Sequence, residues 1–278
     1  MIKNMYLGLQ LYSIRDFIEK DFLGTLKKVK EMGYEGVEFA GLFGKSAAEV
    51  KSMLAESGLV GISAHVPIEE LLGDAPGVIG KYKEIGCRYI AIPWLSENRR
   101  PGNPDYQQTL SDIEAIGREA NKQGIKLLYH NHDFEFVKVN GSYALDLMYE
   151  GISAEYLGTQ VDTCWANVAG VDPSEYVLKY KGRAPMVHLK DFVMPGKKPA
   201  KMYELIGVED TKTKTDEDQT EKFELRPVGY GVQNIPAILE ASREAGAEWV
   251  IVEQDEPSMG KTPMECAKMS IDYLNTLK

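Results

Sequence analysis

Apolar and polar positions along this chain follow two periods, and the alternation of the two periods recurs. Six times an amphipathic stretch of helical spacing ends in glycine, at Gly33, Gly58, Gly86, Gly124, Gly182 and Gly246. Within a few residues of each comes a short apolar, often β-branched run, at Val37, Ile62, Tyr89, Ile125, Met186 and Trp249. Glycine takes the left-handed conformation without steric cost, so it marks helix ends. Helix, glycine stop and short apolar strand, repeated, describe βα units on a parallel sheet.

Two further runs, Leu7–Gln10 and Leu157–Val161, complete a set of eight strands starting near residues 7, 36, 61, 89, 126, 157, 186 and 249. The first six steps span 25 to 37 residues, one βα unit each, and the seventh and last spans 63. The excess lies in a charged run before Arg226. It reads as an insertion at 193–226, a solvated loop after strand seven rather than a lid or a second domain. The expected architecture is therefore α/β, a single (β/α)8 TIM barrel over residues 1–278. An open doubly wound sheet would need a glycine-rich phosphate loop after strand one. Gln10–Arg15 has no glycine, and the pair Gly229 and Gly231 lacks the third of a dinucleotide fingerprint.

The net charge of −10 speaks against nucleic acid as a partner. Cys87, Cys164 and Cys266 are far apart, which suits reduced, buried thiols. No signal peptide and no run of about 20 apolar residues stands out, so the expected compartment is the cytoplasm and no membrane partner is expected.

In such barrels active sites lie at the C-terminal ends of the strands. There the chain places His65 after strand three, His130, His132 and Glu135 after strand five, Asp162 after six, His188 after seven and Glu253 after eight. All four histidines of the chain sit on this one rim. Imidazoles and carboxylates without a thiolate suit one divalent ion, manganese first, with magnesium, cobalt or zinc as alternatives. Blander readings stand beside this one. Asp162 could cap a helix, as Asp172 before Pro173 is expected to do, and Glu253 could pair with a lysine. Trp165 and Tyr12 could be packing aromatics or could stack on a sugar ring.

The chain resembles the xylose isomerase-like barrel superfamily, the sugar phosphate isomerase/epimerase group that includes inosose dehydratases and C-glycoside-cleaving relatives. The resemblance spans nearly the whole chain. It rests on Leu9–Arg15 (LQLYSIR), Tyr129–Phe136 (YHNHDFEF), Val161–Thr163 with Ala169–Pro173, Val187–Asp191 (VHLKD), Val228–Gly231 (VGYG) and Val250–Glu253 (VIVE). It implies one divalent metal held by Glu, Asp, His and Glu from strands five to eight, the last three being Asp162, His188 and Glu253. Many members put a glutamate where this chain has His130. Glu135, the nearest glutamate, is the expected first ligand because a hard ion favours oxygen, with direct ligation by His130 as the rival. His132 is the expected acid or base, with Glu253 and Lys190 as further catalytic groups. His65, His130, Trp165 and Tyr12 are expected to face the substrate.

The expected reaction is proton abstraction next to a metal-polarised carbonyl of a sugar or keto-sugar, giving isomerisation or epimerisation. Expulsion of a β-substituent from the same intermediate would make the chain a dehydratase or lyase on a keto-polyol or keto-glycoside. A DNA-repair endonuclease on the same barrel would need more histidines and a basic surface. A non-catalytic sugar-binding protein would not need the strand-end ligands. The expected partner is a small carbohydrate or polyol; a homo-oligomer is left open.

Overall fold

The computed structural model describes residues 4–194 and 223–278. Eight parallel strands form the sheet: β1 (Tyr6–Gln10), β2 (Gly36–Phe39), β3 (Val60–Ala64), β4 (Tyr89–Ile92), β5 (Lys126–His130), β6 (Leu157–Asp162), β7 (Met186–Leu189) and β8 (Trp249–Val252). Their hydrogen-bonded order is β3-β2-β1-β8-β7-β6-β5-β4. The ring closes between β3 and β4 through a single bridge, His65 to Ala91, with Arg88 N donating to Ile62 O and Val66 N to Ala91 O. This is the expected (β/α)8 barrel, and every strand starts within a residue of its expected place.

The glycine stops behave as expected. All six have positive φ, from 72° at Gly58 to 109° at Gly86. Helices Phe22–Met32, Ala47–Ser57, Ile68–Ile85, Tyr106–Lys122, Ala144–Gly151, Pro173–Lys179, Ile235–Ala245 and Pro263–Asn275 follow the eight strands in turn. Asp172 caps the Pro173 helix, its Oδ1 accepting from Ser174 N and Glu175 N. Between strands and helices lies the larger apolar core. The barrel interior holds a second one, of Ile62, Ala91, Leu128, Met186, Trp249 and Ile251. A Cβ on Gly8 would sit 2.6 Å from Ile251 Cδ1 and 2.7 Å from Ile62 Cδ1, so a side chain there would collide with this plug.

Side chains alternate across a strand. The register that points Met186 and Ile251 into the plug therefore sends His188 and Glu253 inward two residues later, at the C-terminal rim. The plug is the apolar floor, and the polar site is built on it.

The three cysteines are buried and free. Of the expected insertion, residues 195–222 lie outside the described residues, as does nearly all of the run expected to be a solvated loop. Its flanks pair as an antiparallel ribbon, Asp191–Val193 with Glu224–Arg226. Phe192, Phe223 and Leu225 pack there against Cys164, Trp165 and Val168. No helix among the described residues is long and apolar enough to cross a membrane.

Candidate active site

The rim is assembled on one buried carboxylate. Glu38 of β2 is fully buried. Its Oε2 accepts from Gln10 Nε2 at 2.9 Å and lies 2.6 Å from His188 Nε2; its Oε1 accepts from Gln160 Nε2 at 2.7 Å. His65 Nε2 stands 3.3 Å from Oε2. Burial alone would raise the carboxyl's pKa. The facing His65 and His188 and the bonds from His188 and Gln160 outweigh burial and hold it at about 2. His188 answers in the opposite direction. Burial favours its neutral form, but Glu38 and Glu253 raise it to about 10.

This network sets the direction of each ring. Gln160 Oε1 lies 3.1 Å from His130 Nδ1 and 2.8 Å from His65 Nε2, so those nitrogens carry the protons. His130 Nε2 is left as a lone pair facing Asp162 Oδ2 at 3.7 Å. With Nε2–H of His188 directed at Glu38, its Nδ1 faces Glu253 Oε2 at 3.0 Å. A histidine ligand is normally oriented in this way, by a hydrogen bond at its far nitrogen.

One donor atom each from His130, Asp162, His188 and Glu253, all buried, lies within 4.8 Å of the other three. Donors about 2.0–2.3 Å from one ion stand at most about 4.6 Å apart, so the group fits a divalent cation with small adjustments. The chemistry of the set agrees. Asp162 Oδ1 caps the next helix by accepting from Trp165 N at 2.9 Å, and its buried Oδ2 has no hydrogen-bond partner. A buried carboxylate oxygen in that condition calls for a cation.

A cation is already close by. Lys190, 1% exposed, places Nζ 3.0 Å from Glu253 Oε2, 3.4 Å from Asp162 Oδ2 and 3.0 Å from Asp255 Oδ2. Burial opposes its charge, but Asp255, Glu253 and Asp162 raise its pKa well above the ordinary value, so it is an ammonium. One ammonium does not satisfy three carboxylates. Glu253 is held ionised, because Lys190 and His188 overcome its burial. Asp255 and Asp162 are raised by burial despite Lys190.

Above the floor opens a pocket of about 420 Å³. His65, His130, His132, Lys190, Glu253 and Asp255 form its polar end; Tyr12, Pro67, Tyr82, Pro93 and Trp94 line its apolar side. His132 stands edge-on to Trp94 at 4.7 Å and stacks with Phe134 at 5.8 Å. Burial, then Lys190, lowers its pKa well below the ordinary value, so it is a neutral imidazole at pH 7.

Most of the residues expected from sequence come together here: His65, His130, His132, Asp162, His188, Lys190 and Glu253 at the floor, with Tyr12 on the wall. The bland readings hold as well, since Asp162 is a helix cap and Glu253 pairs with a lysine. Two expectations are corrected. Glu135 does not join the four donors; His130 takes that corner. The chain turns back after β5 through the short helix Phe134–Phe136. Glu135 is thereby buried under the strand, accepting from Tyr129 Oη at 2.7 Å and His132 N at 2.8 Å. Trp165 does not line the pocket. It is fully buried, stacked on Phe223 at 5.8 Å, and backs His132 from behind at 5.3 Å.

Sequence reading missed Glu38, Gln10, Gln160 and Asp255. The available signal was a charge or amide at an inward position of an otherwise apolar strand. Glu38 shares a face with Gly36, which lies against the plug residue Ile62.

A profile of the xylose isomerase-like TIM barrel family matches residues 81–277. The chain is similar to an inosose dehydratase of Mesomycoplasma hyopneumoniae (strain 7448), 21% identical over 272 residues, covering 91% of this chain and 87% of the relative. It is similar to a second inosose dehydratase, of Clostridium beijerinckii, 27% identical over 184 residues, 65% of this chain and 57% of that one. Among solved structures it resembles a sugar phosphate isomerase/epimerase from Parabacteroides distasonis (TM-score 0.76, 21% identity, 97% of each chain). It also resembles a 3-keto-D-glucoside 4-epimerase from E. coli (TM-score 0.70, 17% identity, 98% and 99%).

Proposed function

This chain belongs to the xylose isomerase-like TIM barrel family, and from that premise we propose that it is a divalent-metal-dependent isomerase or epimerase of a sugar or keto-sugar. The observation that carries the reading is the convergence of His130, Asp162, His188 and Glu253 on one point at the floor of a sugar-sized pocket. These four would hold the ion, manganese by preference. A bound divalent ion supplies Lewis-acid polarisation of a substrate carbonyl and its neighbouring hydroxyl.

The remaining work falls to the chain's own groups. His132, neutral and lining the pocket, takes the proton from the carbon beside the carbonyl. Lys190 presents a fixed positive charge where negative charge gathers on the substrate oxygens. His65 and Tyr12 contact the hydroxyls and the ring. Return of the proton to the adjacent carbon isomerises the sugar; return to the opposite face epimerises it.

A second reading is favoured by one observation. Where the family resemblance implies a glutamate, the pocket carries His130, so a second acid–base carboxylate is missing from that wall. Loss of a β-hydroxyl as water from the same intermediate would make the enzyme a dehydratase, the activity named for both sequence relatives.

The test is solvent exchange. Keto-sugars and keto-polyols are incubated with the protein in deuterium oxide, with and without manganese, and followed by NMR. Manganese-dependent entry of deuterium at a carbon, lost in His132→Ala while metal binding persists, supports the assignment. Absence of exchange and of product across the panel with metal bound overturns it.

A further inference from the structure

Lys190 stands on two of the carboxylates that an ion would use. Its Nζ is 3.0 Å from Glu253 Oε2 and 3.4 Å from Asp162 Oδ2, and both residues belong to the four-donor group. Its third partner, Asp255 Oδ2 at 3.0 Å, does not belong to that group. A lysine on a free surface would yield to a divalent cation by swinging into water. This one is 1% exposed, with Nζ 5.6 Å from the Trp165 ring centroid, so the nearest groups able to take its charge are the carboxylates around it. Asp255 is firmly held to receive it. Arg15 Nη1 donates to Asp255 O at 2.7 Å and Arg15 Nη2 to Glu256 Oε1 at 2.5 Å, tying the loop after β8 to the chain after β1.

We propose that Lys190 is a built-in competitor of the divalent ion, and that Asp255 is the carboxylate that draws its ammonium aside when the ion binds. The inference rests on the metal reading above. Like charges sharing a pair of carboxylates repel, and in a buried site that repulsion is only weakly screened. The ion is therefore held less tightly than four donors alone would hold it, which favours exchange and selection of the metal. Asp162 and Glu253 keep a compensating charge whichever cation is present, so the barrel does not depend on metal for folding. Lys190 acts on the ion through the shared carboxylates, as a positioning and tuning residue in addition to its place in the pocket.

The experiment is a double-mutant cycle read by manganese affinity, measured by calorimetry and by the electron paramagnetic resonance signal of free manganese. The full chain is used as wild type, Lys190→Met, Asp255→Asn and the double variant. Lys190→Met is expected to bind manganese about tenfold or more tighter, the scale of one buried charge interaction. Asp255→Asn is expected to bind about tenfold weaker, and that loss should shrink below about threefold in the Lys190→Met background, because Asp255 acts through Lys190. If Lys190→Met unfolds without metal, folding driven by manganese with a midpoint below the wild-type Kd supports the competitor role.

A Lys190→Met chain that binds manganese no tighter than wild type, or that fails to fold at saturating manganese, overturns the inference. So does an Asp255→Asn loss of the same size with and without Lys190, which would be a plain field effect. If neither wild type nor Lys190→Met binds manganese, magnesium, cobalt or zinc, the metal reading itself falls and takes the inference with it.

Discussion

Replacing Glu38 by glutamine keeps the shape of the floor and removes its charge. Glu38 receives donors at both oxygens: Gln10 and His188 at Oε2, Gln160 at Oε1. A glutamine must put an NH2 at one of these positions. At Oε2 it would face two donors, so the better choice is Oε1, where it meets Gln160 Nε2. Gln160 cannot flip to relieve the clash, because its Oε1 already serves His65 and His130. The substitution therefore leaves one buried donor–donor contact and takes the anion away from His188. Removing one partner of a buried charged pair costs about 3–5 kcal/mol. For a protein of this size that is a fall in Tm of roughly 6–20 °C. His188 also loses the bond that fixes its tautomer, so metal affinity should drop about 10–100-fold. Urea unfolding gives the first quantity and manganese calorimetry the second. A Glu38→Gln protein within 1 kcal/mol of wild type, binding metal equally well, would refute the claim that this carboxylate organises the rim.

Three further outcomes follow from the geometry. Asp162→Ala and His188→Ala should lose stoichiometric metal while keeping the far-ultraviolet circular dichroism of the barrel; retention of one tight ion per chain in either variant would remove that residue from the ligand set. His130→Ala should lose metal and Glu135→Gln should keep it, and elemental analysis of the two purified variants decides between the two candidates. Glu135 also gives a pH signature. Burial raises its carboxyl from the ordinary 4.5 to about 8, so the folded chain keeps a proton that the unfolded chain releases. Stability from this group is therefore full below about pH 4.5 and declines as pH rises to about 8, by at most about 4–5 kcal/mol. Glu135→Gln should flatten that decline between pH 5 and 8; an equal slope in both proteins, by urea unfolding, would contradict it.

The barrel was legible because its signals are local and repeated. Gly33, Gly58 and Gly86 each end a helix in the left-handed conformation, and the interval between strands is that of one βα unit. Asp162, His188 and Glu253 were legible because each stands where a strand ends, and an end is visible in the sequence. Glu38 was not, because a single polar residue between Val37 and Phe39 looks like a strand with one odd member until its register is known. Gln10 and Gln160 went unseen for the same reason. Glu135 was misplaced because no face rule survives past the end of β5. Three residues of tight helix turn it back to Tyr129, and spacing alone does not contain that turn. Asp255 lies two residues beyond Glu253, and its ion pair with the buried Lys190 is visible only in the fold.

The seam between β3 and β4 has a consequence for how the ring can be cut. Seven of its joints are parallel ladders, whereas this one rests on the bridge from His65 to Ala91 and two flanking backbone bonds. Mechanically the molecule is a strip of eight strands rolled until its edges touch. A chain opened in the turn at Gly86, with its present ends joined by a linker, would read β4 to β8 and then β1 to β3. That is the same strip written from one edge to the other, with every ladder between neighbours intact. The joint with the fewest backbone bonds carries His65 at its lip, so the seam of the ring is also one wall of the pocket.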